Sequence, residues 1–169
     1  SGLVGYAAVE HFAKQDDWEV VGISRRIPDG LGKAEVISVD LTDRDRCADV
    51  FRRMSDITHV TFAALYEKPG LVEGWFQKDQ MQTNLSMLRN LFDPLEVAAT
   101  GLRHISLLQG TKAYGVHIEP FPVPARERWP RVIVARRTLV LCHAWRARQG
   151  RPEKVARAIS LRERSQTSW

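Results

Sequence analysis

Ser1-Gly2-Leu3-Val4-Gly5 opens the chain and runs into Tyr6-Ala7-Ala8-Val9-Glu10-His11-Phe12-Ala13-Lys14. Two glycines three apart, followed by a helical run, is how a phosphate-binding turn enters a helix. Glycine lets the backbone pass close to a pyrophosphate, and the free N–H groups of the first helical turn point at it. Gly2, Leu3, Val4 and Gly5 are therefore candidate phosphate contacts. A lone Gly-x-x-Gly opens an ordinary helix about as often, so the strand ends downstream decide between the two.

Trp18-Glu19-Val20-Val21-Gly22-Ile23-Ser24 reads as a short buried strand, β-branched and apolar. It ends in Arg25-Arg26 and the turn Ile27-Pro28-Asp29-Gly30. In a dinucleotide-binding unit the end of the second strand, roughly 20 positions past the glycine turn, meets the adenosine ribose. An acid there binds the 2′-hydroxyl of NAD, whereas arginines suit the 2′-phosphate of NADP through their forked donors. Two arginines at a strand end are solvated as readily as they are functional. Behind a glycine turn at this distance, the phosphate reading is favoured.

Residues 34–39 form another short strand, closing on Asp40-Leu41, where an acid reaches an adenine amino group or simply forms a turn. Thr42-Asp43-Arg44-Asp45 has the pattern of a helix N-cap with an acid three residues on. The helix is expected to reach about Met54, with Cys47, Val50, Phe51 and Met54 on its apolar side. Residues 59–64 form the next strand, and small Ala63 and Ala64 at its end leave room for a nicotinamide ribose. A long helix is expected from about Asp79 through Met81, Leu85, Leu88, Leu91 and Phe92, with Pro94 kinking it or ending its first half. Asn84 within it suits a helix surface and an active site equally. Residues 102–108 are the last strand of the series and run into Gln109-Gly110-Thr111-Lys112-Ala113-Tyr114-Gly115. A lysine there can bond ribose hydroxyls and lower the pKa of a nearby tyrosine for proton exchange. Strands alternating with helices indicate a doubly wound α/β sheet, whose ligands sit outside the carboxyl ends of its strands.

A chain of 169 residues, 44% apolar and 27% charged, suits one globular domain with a real core. It shows no membrane-length apolar run and no leader pattern, so a cytoplasmic location without membrane partners is expected. Cys47 and Cys142 suit reduced thiols, and the five histidines lack ligand spacing, so no metal is expected. The net charge of +5 is unevenly spread. Residues 1–124 carry 13 basic and 17 acidic side chains, net −4, and residues 125–169 carry 12 basic and 3 acidic ones, net +9.

Taken in order, Ser-Gly-Leu-Val-Gly, Gly-Ile-Ser-Arg-Arg, Asp-Leu-Thr-Asp, Thr-His-Val-Thr-Phe-Ala-Ala, Asn-Leu-x-Met-Leu-x-Asn-Leu and Leu-Arg-His-Ile-Ser-Leu-Leu-Gln-Gly-Thr-Lys-Ala-Tyr-Gly-Val-His resemble the short-chain dehydrogenase/reductase superfamily. The similarity is to its extended, epimerase/dehydratase-like part, nearest the branch of progesterone 5β-reductase and iridoid synthase. The resemblance covers residues 1 to about 128 and implies a Rossmann-like parallel sheet and an NADP(H)-dependent reductase, often acting on enones. By its motifs Gly2 and Gly5 match the last two glycines of the turn, and Ser24, Arg25 and Arg26 the NADP-selective segment. Asp40 and Leu41 match the adenine contact, Ala63 and Ala64 the region after the fourth strand. Lys112 matches the catalytic lysine of a Thr-Gly-x-Lys-His-Tyr segment. Gln109 stands where that segment has Thr, and Ala113 where it usually has His.

The family pattern has a central strand and a first glycine before the position of Ser1, and a catalytic tyrosine in an Asn-Phe-Tyr-Tyr segment. Neither is matched, and Tyr114 is the local phenol available to stand in. The expectation is therefore a reductase domain incomplete at both ends, its sheet lacking the first strand, with little or no turnover of its small-molecule substrate. Residues 1–128 are the partial NADP-binding domain. Residues 129–169 are a basic tail read as foreign, out-of-frame sequence, because the motifs, the charge balance and the arginine content all change near residue 128. The rival is a genuine tail with residues 132–144 a strand or helix and 153–164 an amphipathic basic helix, binding nucleic acid or an acidic partner. A non-catalytic dinucleotide-binding module is the other alternative.

Overall fold

In the computed structural model of the chain the described residues are 2–68, 78–108, 123–124, 126 and 161–163. The chain divides into two compact units, Ser1–Leu107 with Val155–Trp169, and Leu108–Lys154. All the elements below lie in the first unit. In the second, the described residues are Leu108, Val123, Pro124 and Arg126, the Val123–Pro124 peptide being cis. The division falls at residue 107, and most of residues 129–169 lie outside the described residues.

Helix α1, Leu3–Ala13, begins at Gly2, which is extended (φ −77°, ψ 163°) and offers no capping side chain. Its first internal bond runs from the Tyr6 N–H to the Gly2 carbonyl, 3.0 Å. Ala8, Val9, Phe12 and Ala13 turn toward Val20 and Trp18 of strand β1, Trp18–Ser24, and make a small apolar cluster with Ala34. The link from β1 to β2, Glu35–Ser38, turns at Gly30 (φ 78°) and Gly32 (φ 59°), conformations that glycine adopts without a Cβ clash. Helix α2, Arg44–Phe51, is capped by Asp43, whose carboxylate accepts from the Arg46 N–H at 3.0 Å. It is a turn shorter than expected, yet Cys47, Phe51 and Met54 are buried on the predicted side. Strand β3 spans His59–Phe62, so Ala63 and Ala64 fall in the loop after it.

Helix α3 runs over Lys78–Ala98. Pro94 lies inside it and does not end it, which leaves the kink of the two sequence alternatives. Leu88, Leu91 and Leu95 pin both sides of the proline into the core with Ile57, Val60 and Phe62. Full burial of each such side chain stabilises by roughly 1.5–3 kcal/mol, comparable with the ~3 kcal/mol an interior proline costs. Strand β4 is His104–Leu107.

β1 pairs parallel with β2, from Val21–Glu35 to Ser24–Ser38, and β3 pairs parallel with β4, from His59–His104 to Phe62–Leu107. Between them lies β5, Leu161–Glu163, giving the order β2-β1-β5-β3-β4. β5 is antiparallel, pairing with β1 at Trp18, Glu19 and Val20 and with β3 at His59. The chain thus folds as the expected Rossmann-like α/β sheet, with a short segment of the C-terminal region between β1 and β3. Those three residues are strand, which corrects the helix alternative at 161–163, the rest of 153–164 lying outside the described residues: β1 and β3 present backbone edges that only extended chain can bond. Among the described residues, no helix is long and apolar enough to cross a membrane.

Candidate functional site

The strand order reverses between β1 and β3, and in open α/β sheets the crevice at such a reversal is where ligands sit. A cleft of about 590 Å³ opens there, within the 300–1,000 Å³ range typical of ligand sites. Gly2 and Gly5 border it from the start of α1, Ser24, Arg25 and Arg26 from the end of β1, Asp40 and Leu41 from the end of β2, and Ala63 and Ala64 from the end of β3. Nine predicted positions, spread over four parts of the sequence, therefore share one lining. Leu3 and Val4 do not border it; their side chains are 86% and 54% exposed. They can contribute only the N–H groups of the first helical turn, which no side chain caps. Lys112 and Tyr114 lie outside the described residues.

The arginine loop is held from two sides. The Ser38 hydroxyl donates to the Arg25 carbonyl at 3.1 Å, and the Tyr6 hydroxyl to the Asp29 carbonyl at 3.4 Å. Arg25 and Arg26 are exposed, and among the described residues neither guanidinium enters a salt bridge. The Asp40 carboxylate accepts from the Thr42 N–H (2.9 Å) and the Thr42 hydroxyl (2.7 Å), both at Oδ1. Those two bonds, first the backbone one, hold its pKa below the ordinary value of 3.8, and the charge of Arg25 adds to the effect against a small opposing burial. Oδ1 is thus committed to the turn, and Oδ2 carries any adenine contact. Behind this turn the Cys47 thiol donates to the Asp40 carbonyl at 3.5 Å. Its burial, with Asp43 and Asp40 nearby, pushes the thiol up to about 11, so it is protonated and inert.

The loop after β3 is held by α3. Asn84 Oδ1 accepts from the Tyr66 N–H (2.8 Å), and its Nδ2 donates to the carbonyls of Tyr66 (2.8 Å) and Gln80 (3.0 Å). Gln80, buried, accepts from the Lys68 N–H at 2.8 Å, and Lys68 also pairs with Asp79. The Asn90 side chain donates to the Leu41 carbonyl at 2.8 Å. The sequence reading left Asn84 undecided and passed over Tyr6, Gln80 and Asn90. The available signal was three amides on a helix whose other inward positions are apolar.

Below the phosphate end, Val21, Ile23, Val60 and Phe62 also line the cleft. β5 reaches only Val20 on one side and His59 on the other, so above those residues no strand separates β1 from β3 among the described residues. Within the same residues no group of three or more His, Cys, Asp or Glu converges on a metal-sized site.

A family model described as "NAD dependent epimerase/dehydratase family" matches residues 1–157. The chain is 28% identical over 147 residues to an (S)-8-oxocitronellyl enol synthase of Catharanthus roseus, which covers 79% of this chain and 35% of the relative. It is 27% identical over 140 residues to the short chain dehydrogenase gsfE of Penicillium aethiopicum, covering 78% and 36%. It is 28% identical over 122 residues to a 3-oxo-Delta(4,5)-steroid 5-beta-reductase of Arabidopsis thaliana, covering 68% and 30%. The chain spans about a third of the length of these curated relatives.

Proposed function

The chain belongs to the NAD dependent epimerase/dehydratase family, and from that premise we propose that its cleft binds NADP(H) in a protein that passes hydride to a carbonyl or enone. One observation carries the proposal: glycine turn, arginine pair, acid turn and small-residue loop border a single cleft at the reversal of strand order. The pyrophosphate lies at the uncapped N–H groups of Leu3, Val4 and Gly5, where the helix dipole favours anions. Arg25 and Arg26 grip the 2′-phosphate, Asp40 and Leu41 flank the adenine, and Ala63 and Ala64 leave space for the second ribose. Bound NADPH supplies the hydride. Lys112 holds the ribose hydroxyls and Tyr114 is the candidate proton donor, both assigned by resemblance alone.

For this chain we expect dinucleotide binding with little or no turnover. Titration calorimetry with NADPH and NADH tests the first part. Each arginine contact to the phosphate is a charged hydrogen bond of about 1.5–3 kcal/mol. Arg25→Ala should therefore weaken NADPH binding roughly 10- to 100-fold while NADH is unaffected. Equal loss of both cofactors would refute the phosphate assignment. NADPH oxidation in the presence of an enone, abolished by Lys112→Ala, would refute the expectation of inactivity.

A further inference from the structure

Two loops that border the cleft have no regular structure of their own: residues 63–68 after β3, and residues 39–43 between β2 and α2. Each is bonded to a different amide of α3. Asn84 uses both ends of its side chain on the Tyr66 peptide group, accepting from its N–H and donating to its carbonyl, each at 2.8 Å. Its second amide proton goes to the Gln80 carbonyl in its own helix, which fixes the plane of the side chain. Gln80 adds a bond to the Lys68 N–H. Two turns further on, Asn90 donates to the Leu41 carbonyl at 2.8 Å, a partner 49 residues away in sequence. Leu88 and Leu91, on either side of Asn90, are buried, so the helix itself is immobilised by packing.

We propose that Asn84 and Asn90 are positioning residues of the cleft, Asn84 for the loop on the nicotinamide side and Asn90 for the loop on the adenine side. The assignment of sides rests on the dinucleotide reading above. An amide suits both posts because it bonds a peptide group without carrying charge into the packed face of the helix. A backbone loop held by two or three such bonds is pre-organised, and binding then avoids the cost of ordering it.

The two halves of the ligand separate the two roles. Affinities for NADPH and for adenosine 2′,5′-bisphosphate, which lacks the nicotinamide half, are measured by calorimetry on the unmodified chain and on Asn84→Ala, Asn84→Asp and Asn90→Ala. Asn84→Ala removes two bonds to Tyr66, each worth about 0.5–1.5 kcal/mol. It should weaken NADPH roughly tenfold and leave the bisphosphate within about twofold. Asn84→Asp keeps the shape but sets a carboxylate oxygen against two carbonyls, and should show the same split. Asn90→Ala should weaken both ligands by a similar factor of about three to ten. Amide exchange at Tyr66, read without ligand, should accelerate in Asn84→Ala, where that N–H loses its acceptor, and stay unchanged in Asn90→Ala. Equal weakening of both ligands in the Asn84 variants, or no weakening of NADPH, overturns the positioning role while leaving the dinucleotide reading intact. Failure of the unmodified chain to bind either ligand overturns that reading and the inference with it.

Discussion

Asp40 illustrates how one residue serves a turn and a site together. Its folded pKa is lowered by the Thr42 bonds, so the stabilisation they provide is complete above the unfolded carboxylate value and is lost as pH falls through the folded one. Thr42→Ala removes the hydroxyl and keeps the backbone bond, so the Asp40 carboxyl should move part of the way back toward 3.8, readable by NMR titration of its side chain. Cys47 is fully buried with its thiol near 11. In a Cys142→Ser background, a thiol reagent at pH 8 should therefore modify nothing until denaturant opens the core; rapid modification of the native chain would contradict the burial. Ser106 is also fully buried, and its hydroxyl finds no partner among the described residues. An unsatisfied buried group costs about 1–3 kcal/mol, so Ser106→Ala should raise the unfolding midpoint in urea. At this scale the legible residues were those whose position follows from local geometry. A strand of known start ends where Arg25 stands, and a turn after a strand needs Asp40. Asn84 and Asn90 were opaque because their partners lie 18 and 49 residues away, a distance that no helical pattern encodes.

The elements came out of the sequence by the same logic. Apolar and β-branched runs became β1 to β4, and the cap of α2 falls one residue past Thr42, at Asp43, whose replacement by alanine should cost about 1 kcal/mol in denaturant unfolding. Boundaries slipped by a residue or two where a strand's edge neighbour is shorter than the apolar run. Whether Pro94 kinks its helix or ends it was not legible from propensity, which considers the helix alone, whereas packing of Leu88, Leu91 and Leu95 retains the full length. At the amino ends of β1, β3 and β4 the rings of Trp18, His59 and His104 form a chain of contacts, at 4.9 Å and 5.8 Å. Burial lowers the His104 pKa from 6.5, which means that the unfolded chain takes up a proton there before the folded one does. Stability should accordingly decline as pH drops through about 6.5 and level off below the folded value. Urea midpoints at several pH values, with His104→Phe removing the decline, provide the check.

For the molecule as a whole, the parallel α/β plan was legible because alternating strands and helices admit few arrangements. The segment Leu161–Glu163 was not, since Leu-Arg-Glu carries no strand signal of its own and is ordered by the edges it bridges. That bridge is narrow: three residue pairs on the β1 side and a single pair, His59 with Leu161, on the β3 side. In a continuous sheet every interior strand shares its ladder over full length with both neighbours, and heat or denaturant melts it as one. Here the β1–β2 pair and the β3–β4 pair are welded at a spot. The amides of the two pairs should then open with separate free energies in native-state hydrogen exchange. Removing residues 155–169 should widen the gap between them, and a common opening energy in both chains would contradict it. On that prediction Leu161–Glu163, far from the cleft in sequence, set how cooperatively its two walls hold together.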